Sequence, residues 1–306
     1  MKSVGLRTLL QNVWRKNAQE LIGLFDGSLP SFVAARRPTE VLAGVPVFCY
    51  HLIEARQFRA DLEFLKRNGY VTLSPTEFLE HLVSSKAIPQ RSVLLTFDDG
   101  PKNFYDVALP LLREYSAKAM AFIAPGLHAE AVENDRTEAR PMTWGEIREA
   151  HASGLVYFQS HTLASRFVPA WPKSVPLVGC DPAIENRRRQ SPLPLGQDLA
   201  LSRQGIESQL PGASVRHLSF PMYFGTEEGV AAAREQGFQA CYWGYLPGRP
   251  LNAAGASPFH ISRVGDEFVR RLPGEGRITL RGMWSERSRR IQVGREWRRQ
   301  FPEPVL

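Results

Sequence analysis

A chain of 306 residues, 43% of them hydrophobic, can bury the core of one barrel or doubly wound domain of roughly 200 to 250 residues with extensions left over. Its 38 basic and 31 acidic residues leave a net charge of +7, a moderate excess that a solvated surface accounts for without a nucleic-acid partner. The three cysteines, Cys49, Cys180 and Cys241, share no paired spacing, so no disulfide framework is implied.

Residues 1–44 open with "MKSVGLRTLLQNVWRKNAQELIGLF", in which Leu6, Leu9, Leu10, Val13, Leu21 and Leu24 alternate with Arg7, Arg15, Lys16 and Glu20. This spacing predicts an amphipathic helix and lacks the continuous apolar stretch of a secretory signal or membrane span, so a cytoplasmic location is expected. From Val45 short apolar strands alternate with helical segments, the pattern of a parallel sheet covered by helices. "VPVFCYH", "YVTLS", "SVLLTF", "KAMAFIAPG", "LVYFQSH", "VRHLSFPM" and "FQACYWGYL" read as strands. "FRADLEFLKRNG", "PTEFLEHLVSS", "YDVALPLLREYS", "TWGEIREAHASG", "QGIESQL" and "TEEGVAAAREQG" read as the helices between them, with Thr143 as an N-cap and Gly69 and Gly154 as stops. Residues 166–199 carry six prolines and the triplet Arg187, Arg188 and Arg189, and are expected to form an irregular excursion over the site. Residues 277–306 form a basic tail, read as a solvated helix or as a surface for anionic lipid or polymer at the membrane periphery. The predicted architecture is therefore a β/α barrel spanning 45–276, whose chemistry belongs at the carboxyl ends of the strands.

The residues at those ends are His51, Asp98 and Asp99, Ser160 and His161, and Pro221 to Tyr223. Two adjacent carboxylates at the end of a buried strand resist joint ionisation unless a cation or a shared proton holds them. A carboxylate and an imidazole from different strands suit a divalent metal, and a second carboxylate beside them suits a general base toward water. Trp144 is expected to be a packing anchor; Tyr223 and Trp243 are candidates for stacking on a sugar, although aromatic packing is their default.

"TFDDGP" followed at strand spacing by "SHT" (Ser160 to Thr162) and then by "SFPMYFG" (Ser219 to Gly225) resembles the three motifs of the polysaccharide deacetylase family. "VPVFCYH", "MTWGEIREAHASG" and "PFHISRV" extend the likeness over roughly 45–276. The resemblance implies an incomplete, distorted β/α barrel that uses a divalent metal to hydrolyse N-acetyl groups on amino sugars, with an N-acetylated glycan as its partner. Zinc is the expected ion, with cobalt, nickel and manganese as alternatives. By the same resemblance Asp98 is the catalytic base, and Asp99 and His161 are metal ligands. The backbone N–H of Met222 is an oxyanion donor, and His260 is the candidate general acid. The second motif of the family ends in a histidine where this chain has Ser165, leaving Ser165, His51 or water for the third metal position. The third motif often carries an arginine that orients the base; Ser219 stands there, and Arg216 is its nearest replacement in sequence. These two departures leave open a non-catalytic carbohydrate-binding relative as the alternative.

Overall fold

The computed structural model describes residues 29–36, 42–51, 53–130, 140–164, 193–223, 225–246 and 252–288. The predicted N-terminal helix, Ser165, Cys180, the Arg187–Arg189 triplet and the tail beyond 288 lie outside these residues. The strands are β1 Val47–Tyr50, β2 Val71–Thr72, β3 Ser92–Phe97, β4 Ala119–Ile123, β5 Val156–Ser160, β6 His217–Ser219, β7 Ala240–Tyr242 and β8 Val264–Gly265. The helices are α1 Ser31–Ala34, α2 Ala55–Arg67, α3 Pro75–Ser84, α4 Leu109–Tyr115, α5 Trp144–Ala152, α6 Leu195–Gln209 and α7 Glu227–Glu235. A further helix, α8, covers 280–288.

All the strand pairings are parallel, in the order β7-β6-β5-β4-β3-β1-β8, with β2 added beside β3. Among the described residues, one parallel bridge, Tyr242 to Ile261, joins the far edge back toward β8. The sheet is thus an incomplete, distorted β/α barrel, as the resemblance implied. Its central strands β1, β3 and β4 are largely apolar because both faces are covered. Val47, Leu94, Met120, Phe122, Tyr242 and Ile261 pack together inside the barrel. Their neighbours Phe48, Leu95, Ala121, Ile123, Cys241 and Val264 face the helices in a second, larger cluster.

Helix starts follow local chemistry. Ser74 with Glu77, and Thr143 with Glu146, form reciprocal caps that satisfy backbone donors at the first turns of α3 and α5. Gly154 ends α5 at φ +71°, a conformation that favours glycine.

Two expectations are corrected. Residues 195–199, assigned to the irregular excursion, are the first turn of α6, whose buried face is Leu195, Leu199, Ser202 and Ile206. A serine on that face and the prolines just ahead of it mask the helical period. The described start of the basic tail is docked on the barrel, not solvated. Arg277 donates to the carbonyls of Phe32 (2.6 Å) and Ala35 (2.8 Å), closing the carboxyl end of α1. Arg287 pairs with Glu267 at 2.7 Å, and Glu286 with Arg270, which also reaches buried Asp61 at 2.9 Å. Met283 is fully buried. Met283→Ala is therefore expected to destabilise the fold by about 2–5 kcal/mol, the cost of emptying a core site; a urea midpoint unchanged from wild type would show that α8 is not docked.

Candidate active site

The turn after β3 separates the two carboxylates. The Asp98 N–H donates to Tyr50 O at 3.0 Å, extending the ladder to β1 by one residue. The chain then takes two left-handed residues, Asp99 at φ +70° and Gly100 at φ +60°. Aspartate tolerates this region better than most side chains, and at Gly100 a Cβ would lie 2.7 Å from Ile123 Cγ2. The Gly100 carbonyl accepts from Met142 N at 3.0 Å. Asp98 is thereby turned inward and buried, while the Asp99 side chain is 54% exposed.

Asp98 is held by Arg263, which the sequence reading did not single out. The two guanidinium nitrogens donate to its two oxygens, Nη1 to Oδ1 at 2.7 Å and Nη2 to Oδ2 at 2.9 Å. Arg263 is itself buried and anchored through Nε to Trp243 O at 2.9 Å. Burial alone would push the Asp98 carboxyl up. The Arg263 charge outweighs that, with His161 and His51 adding to it, and holds the group well below the usual carboxylate range. Arg216, the nearest candidate in sequence, points elsewhere: it is exposed before β6 and donates to Ser214 Oγ at 2.8 Å. Ser219, in the motif position of the arginine, is fully buried, with no hydrogen-bond partner for its hydroxyl among the described residues.

Asp99 faces His161 instead, with Oδ1 3.5 Å from Nε2. His161 Nδ1 lies 3.0 Å from Ser219 O, and a carbonyl can only accept, so Nδ1 carries the proton in this contact. A ring protonated only at Nδ1 presents the lone pair of Nε2 to a carboxylate oxygen. Two acceptors facing one another in this way are stable with a cation between them, and a backbone carbonyl that fixes the far nitrogen is the usual support of a metal-binding imidazole. The donor set fits a divalent metal.

A second group of ligand types, Cys49, His51 and Asp98, has its atoms within 4.8 Å of one another. It fits a metal less well. Both Asp98 oxygens already accept from Arg263, whose positive charge opposes a second cation there, and burial pushes the Cys49 thiol above its usual range. The thiol donates to Asp98 Oδ2 at 3.5 Å. His51 stands at the rim, its Nε2 3.9 Å from Asp98 Oδ2, its side chain 38% exposed and its ring beside the Tyr223 hydroxyl.

Met222 lies in the single turn Pro221–Tyr223 directly after β6, which places its backbone at the catalytic end of the barrel. The structure does not bring His260 into this group. His260 stacks on Trp243 at 5.5 Å and 12°, and its Nε2 pairs with Glu227 at 2.9 Å. Ile261 and Arg263 face inward, whereas His260 lies in the turn ahead of them, its N–H donating to Ser257 O at 3.2 Å. Trp243 is held between His260 and Phe220 and is a packing residue, as is Trp144, 6% exposed beside His128.

Two buried histidines outside the site are expected to make the fold sensitive to acid. Burial pushes His128 down to about 4 against the opposing Met142 carbonyl bond, and pushes His217 down to about 3 with Arg216 adding to it. Both pKa values are lower folded than unfolded, so the stability from their neutral burial is complete above about pH 6.5 and is lost as pH falls toward 4 and 3. The expected slope is up to about 1.4 kcal/mol per pH unit for each histidine. Urea midpoints should be flat above pH 7 and fall below pH 6, and His217→Gln should flatten the fall; a pH-independent midpoint between 7 and 4.5 would contradict this.

Comparison with known proteins agrees with the geometry. The sequence profile described as polysaccharide deacetylase matches residues 85–241, just over half of the chain. YxkH of Bacillus subtilis (strain 168), named as a polysaccharide deacetylase, is 37% identical over 93 residues, 28% of this chain and 33% of that protein. The poly-beta-1,6-N-acetyl-D-glucosamine N-deacetylase of Staphylococcus aureus (strain MSSA476) is 30% identical over 110 residues, 36% of this chain and 37% of that protein. The matched segments thus span little more than a third of these relatives. Among solved structures, IcaB from Ammonifex degensii superposes with a TM-score of 0.59 at 24% identity, over 75% of this chain and 95% of that one. The Streptococcus pyogenes deacetylase PplD, in complex with acetate, gives 0.56 at 20% identity over 72% and 92%. The profile match runs through the Asp98–Asp99 turn and His161 and ends on β7, and it shows that this chain belongs to the polysaccharide deacetylase family.

Proposed function

We propose that the protein is a metal-dependent hydrolase that removes N-acetyl groups from the amino sugars of an oligo- or polysaccharide. The observation that carries this reading is the division of labour between neighbouring aspartates, Asp98 clamped by Arg263 and Asp99 set against His161 Nε2. Asp99 and His161 would hold a divalent cation, which when bound would supply Lewis acidity toward an acetamide carbonyl and water. Asp98, kept ionised and oriented by Arg263, accepts a proton from the attacking water. The Met222 N–H donates to the oxygen on which negative charge develops. His51, 3.9 Å from Asp98 at the exposed rim, replaces His260 as the proton donor to the departing amine. The products are acetate and a free amino sugar.

The non-catalytic alternative rested on Ser165 and Ser219, and Arg263 removes the argument from Ser219 by delivering a guanidinium to Asp98 from another strand. The test is acetate release from a panel of N-acetylated amino sugars, β-1,6-linked N-acetylglucosamine oligomers included, after chelation and with Zn, Co, Ni or Mn restored. Release that depends on added metal supports the reading; saturable glycan binding without release under every metal favours the binding relative.

A further inference from the structure

We propose that Tyr223 is a positioning residue that fixes the His51 imidazole in its orientation toward Asp98; this rests on His51 being the proton donor. Tyr223 is held in an unusual way for a loop aromatic. Its φ is +68°, a left-handed conformation that costs a bulky side chain on the order of 1 kcal/mol or more and persists where the surroundings over-determine it. Those surroundings are specific. The Tyr223 N–H donates to Phe220 O at 3.2 Å, and its carbonyl accepts from Gly244 N at 2.9 Å. A Cβ at position 244 would lie 2.7 Å from Tyr223 Cβ, so only glycine there lets the two backbones approach this closely. The Arg263 guanidinium carbon lies 5.5 Å from the centre of the Tyr223 ring, so one cation orders both the base and the tyrosine.

This strained placement leaves the Tyr223 hydroxyl 3.3 Å from both nitrogens of His51, with the rings 5.5 Å apart and inclined at 64°. A hydroxyl at that edge can accept from a ring N–H or donate to a bare ring nitrogen, so it supports the imidazole before and after proton transfer. Without it, a half-exposed histidine on a strand end samples several rotamers, and each misaligned one removes productive encounters with the leaving nitrogen. The predicted effect falls on kcat and leaves KM and the Asp99–His161 pair unchanged.

The test is a double-mutant cycle on the best oligomer of the panel above, with metal content and thermal midpoint measured alongside. Tyr223→Phe should lower kcat by roughly 5- to 20-fold with KM unchanged, and should have no further effect in a His51→Gln background. As a readout independent of turnover, the His51 ring proton between the two nitrogens, assigned by its loss in His51→Gln, should shift in Tyr223→Phe more than that of any other histidine. Equal kcat in Tyr223→Phe and wild type, the same fold-loss repeated in the His51→Gln background, or an unshifted His51 resonance would each overturn the role of Tyr223 alone. Wild-type kcat in His51→Gln would overturn the assignment of His51, and this proposal with it.

Discussion

Replacing Asp98 with asparagine is expected to lower kcat by roughly two to four orders of magnitude, the range for losing a positioned general base. An amide cannot take the proton from water, while its shape still fills the place beside Arg263. The same substitution leaves a buried guanidinium facing a neutral group, so the thermal midpoint should fall as well, and kinetics belong well below it. A kcat within tenfold of wild type would mean that another group accepts the proton.

The second large effect is expected from Arg263→Met. Arg263 is the largest of the fully buried side chains and joins three places at once: Asp98 through two bonds, Trp243 O through Nε, and Gly244 O through its backbone N–H at 3.2 Å. The last two contacts lie beside the Tyr242–Ile261 bridge, so the residue that orders the base also fastens the seam of the barrel. Removing the guanidinium strands a buried carboxylate, which costs about 3–5 kcal/mol and raises its pKa. Sign follows from the depressed Asp98 pKa: the pair's contribution is present above the unfolded carboxylate pKa and is lost as pH falls below it, so the wild-type advantage over Arg263→Met should shrink in strong acid. Combining Arg263→Met with Asp98→Asn removes both charges, and the double variant should be more stable than additivity of the two singles predicts by about 2 kcal/mol, read from denaturant midpoints. Strict additivity would mean that the pair contributes no coupling to the fold.

Much of this was legible in the sequence, for reasons that differ by element. Strands buried on both faces read as apolar runs, and caps such as Thr143–Glu146 are local, so the β/α order and the helix starts could be read residue by residue. The Asp98–Asp99 pair followed by His161 was legible because a doubled charge at the end of a buried strand demands a counter-charge. The identity of that counter-charge was not. Arg263 lies 165 residues from Asp98, and nothing local in "HISRV" marks it as the partner. His260 carried the more suggestive side chain, yet it lies in the turn ahead of Ile261 and stacks on Trp243, a placement invisible without the bridge of Ile261 to Tyr242. His51 was one of three candidates for the third metal position, with Ser165 and water; the structure places it at the rim beside Cys49 and Asp98, with the Tyr223 hydroxyl 3.3 Å from its ring. The docking of the tail was hidden for another reason: arginines that close carbonyls and ion pairs look, in sequence, like arginines in water.

The division of labour between the two aspartates is tested most directly by a zinc competition titration on wild type, Asp98→Asn and Asp99→Asn. Asp99 and His161 hold the ion in this account, so Asp99→Asn should weaken zinc binding by one or more orders of magnitude, while Asp98→Asn, whose carboxylate serves Arg263, should bind within a few-fold of wild type. Zinc lost from Asp98→Asn and retained by Asp99→Asn would reverse the two roles and contradict the account.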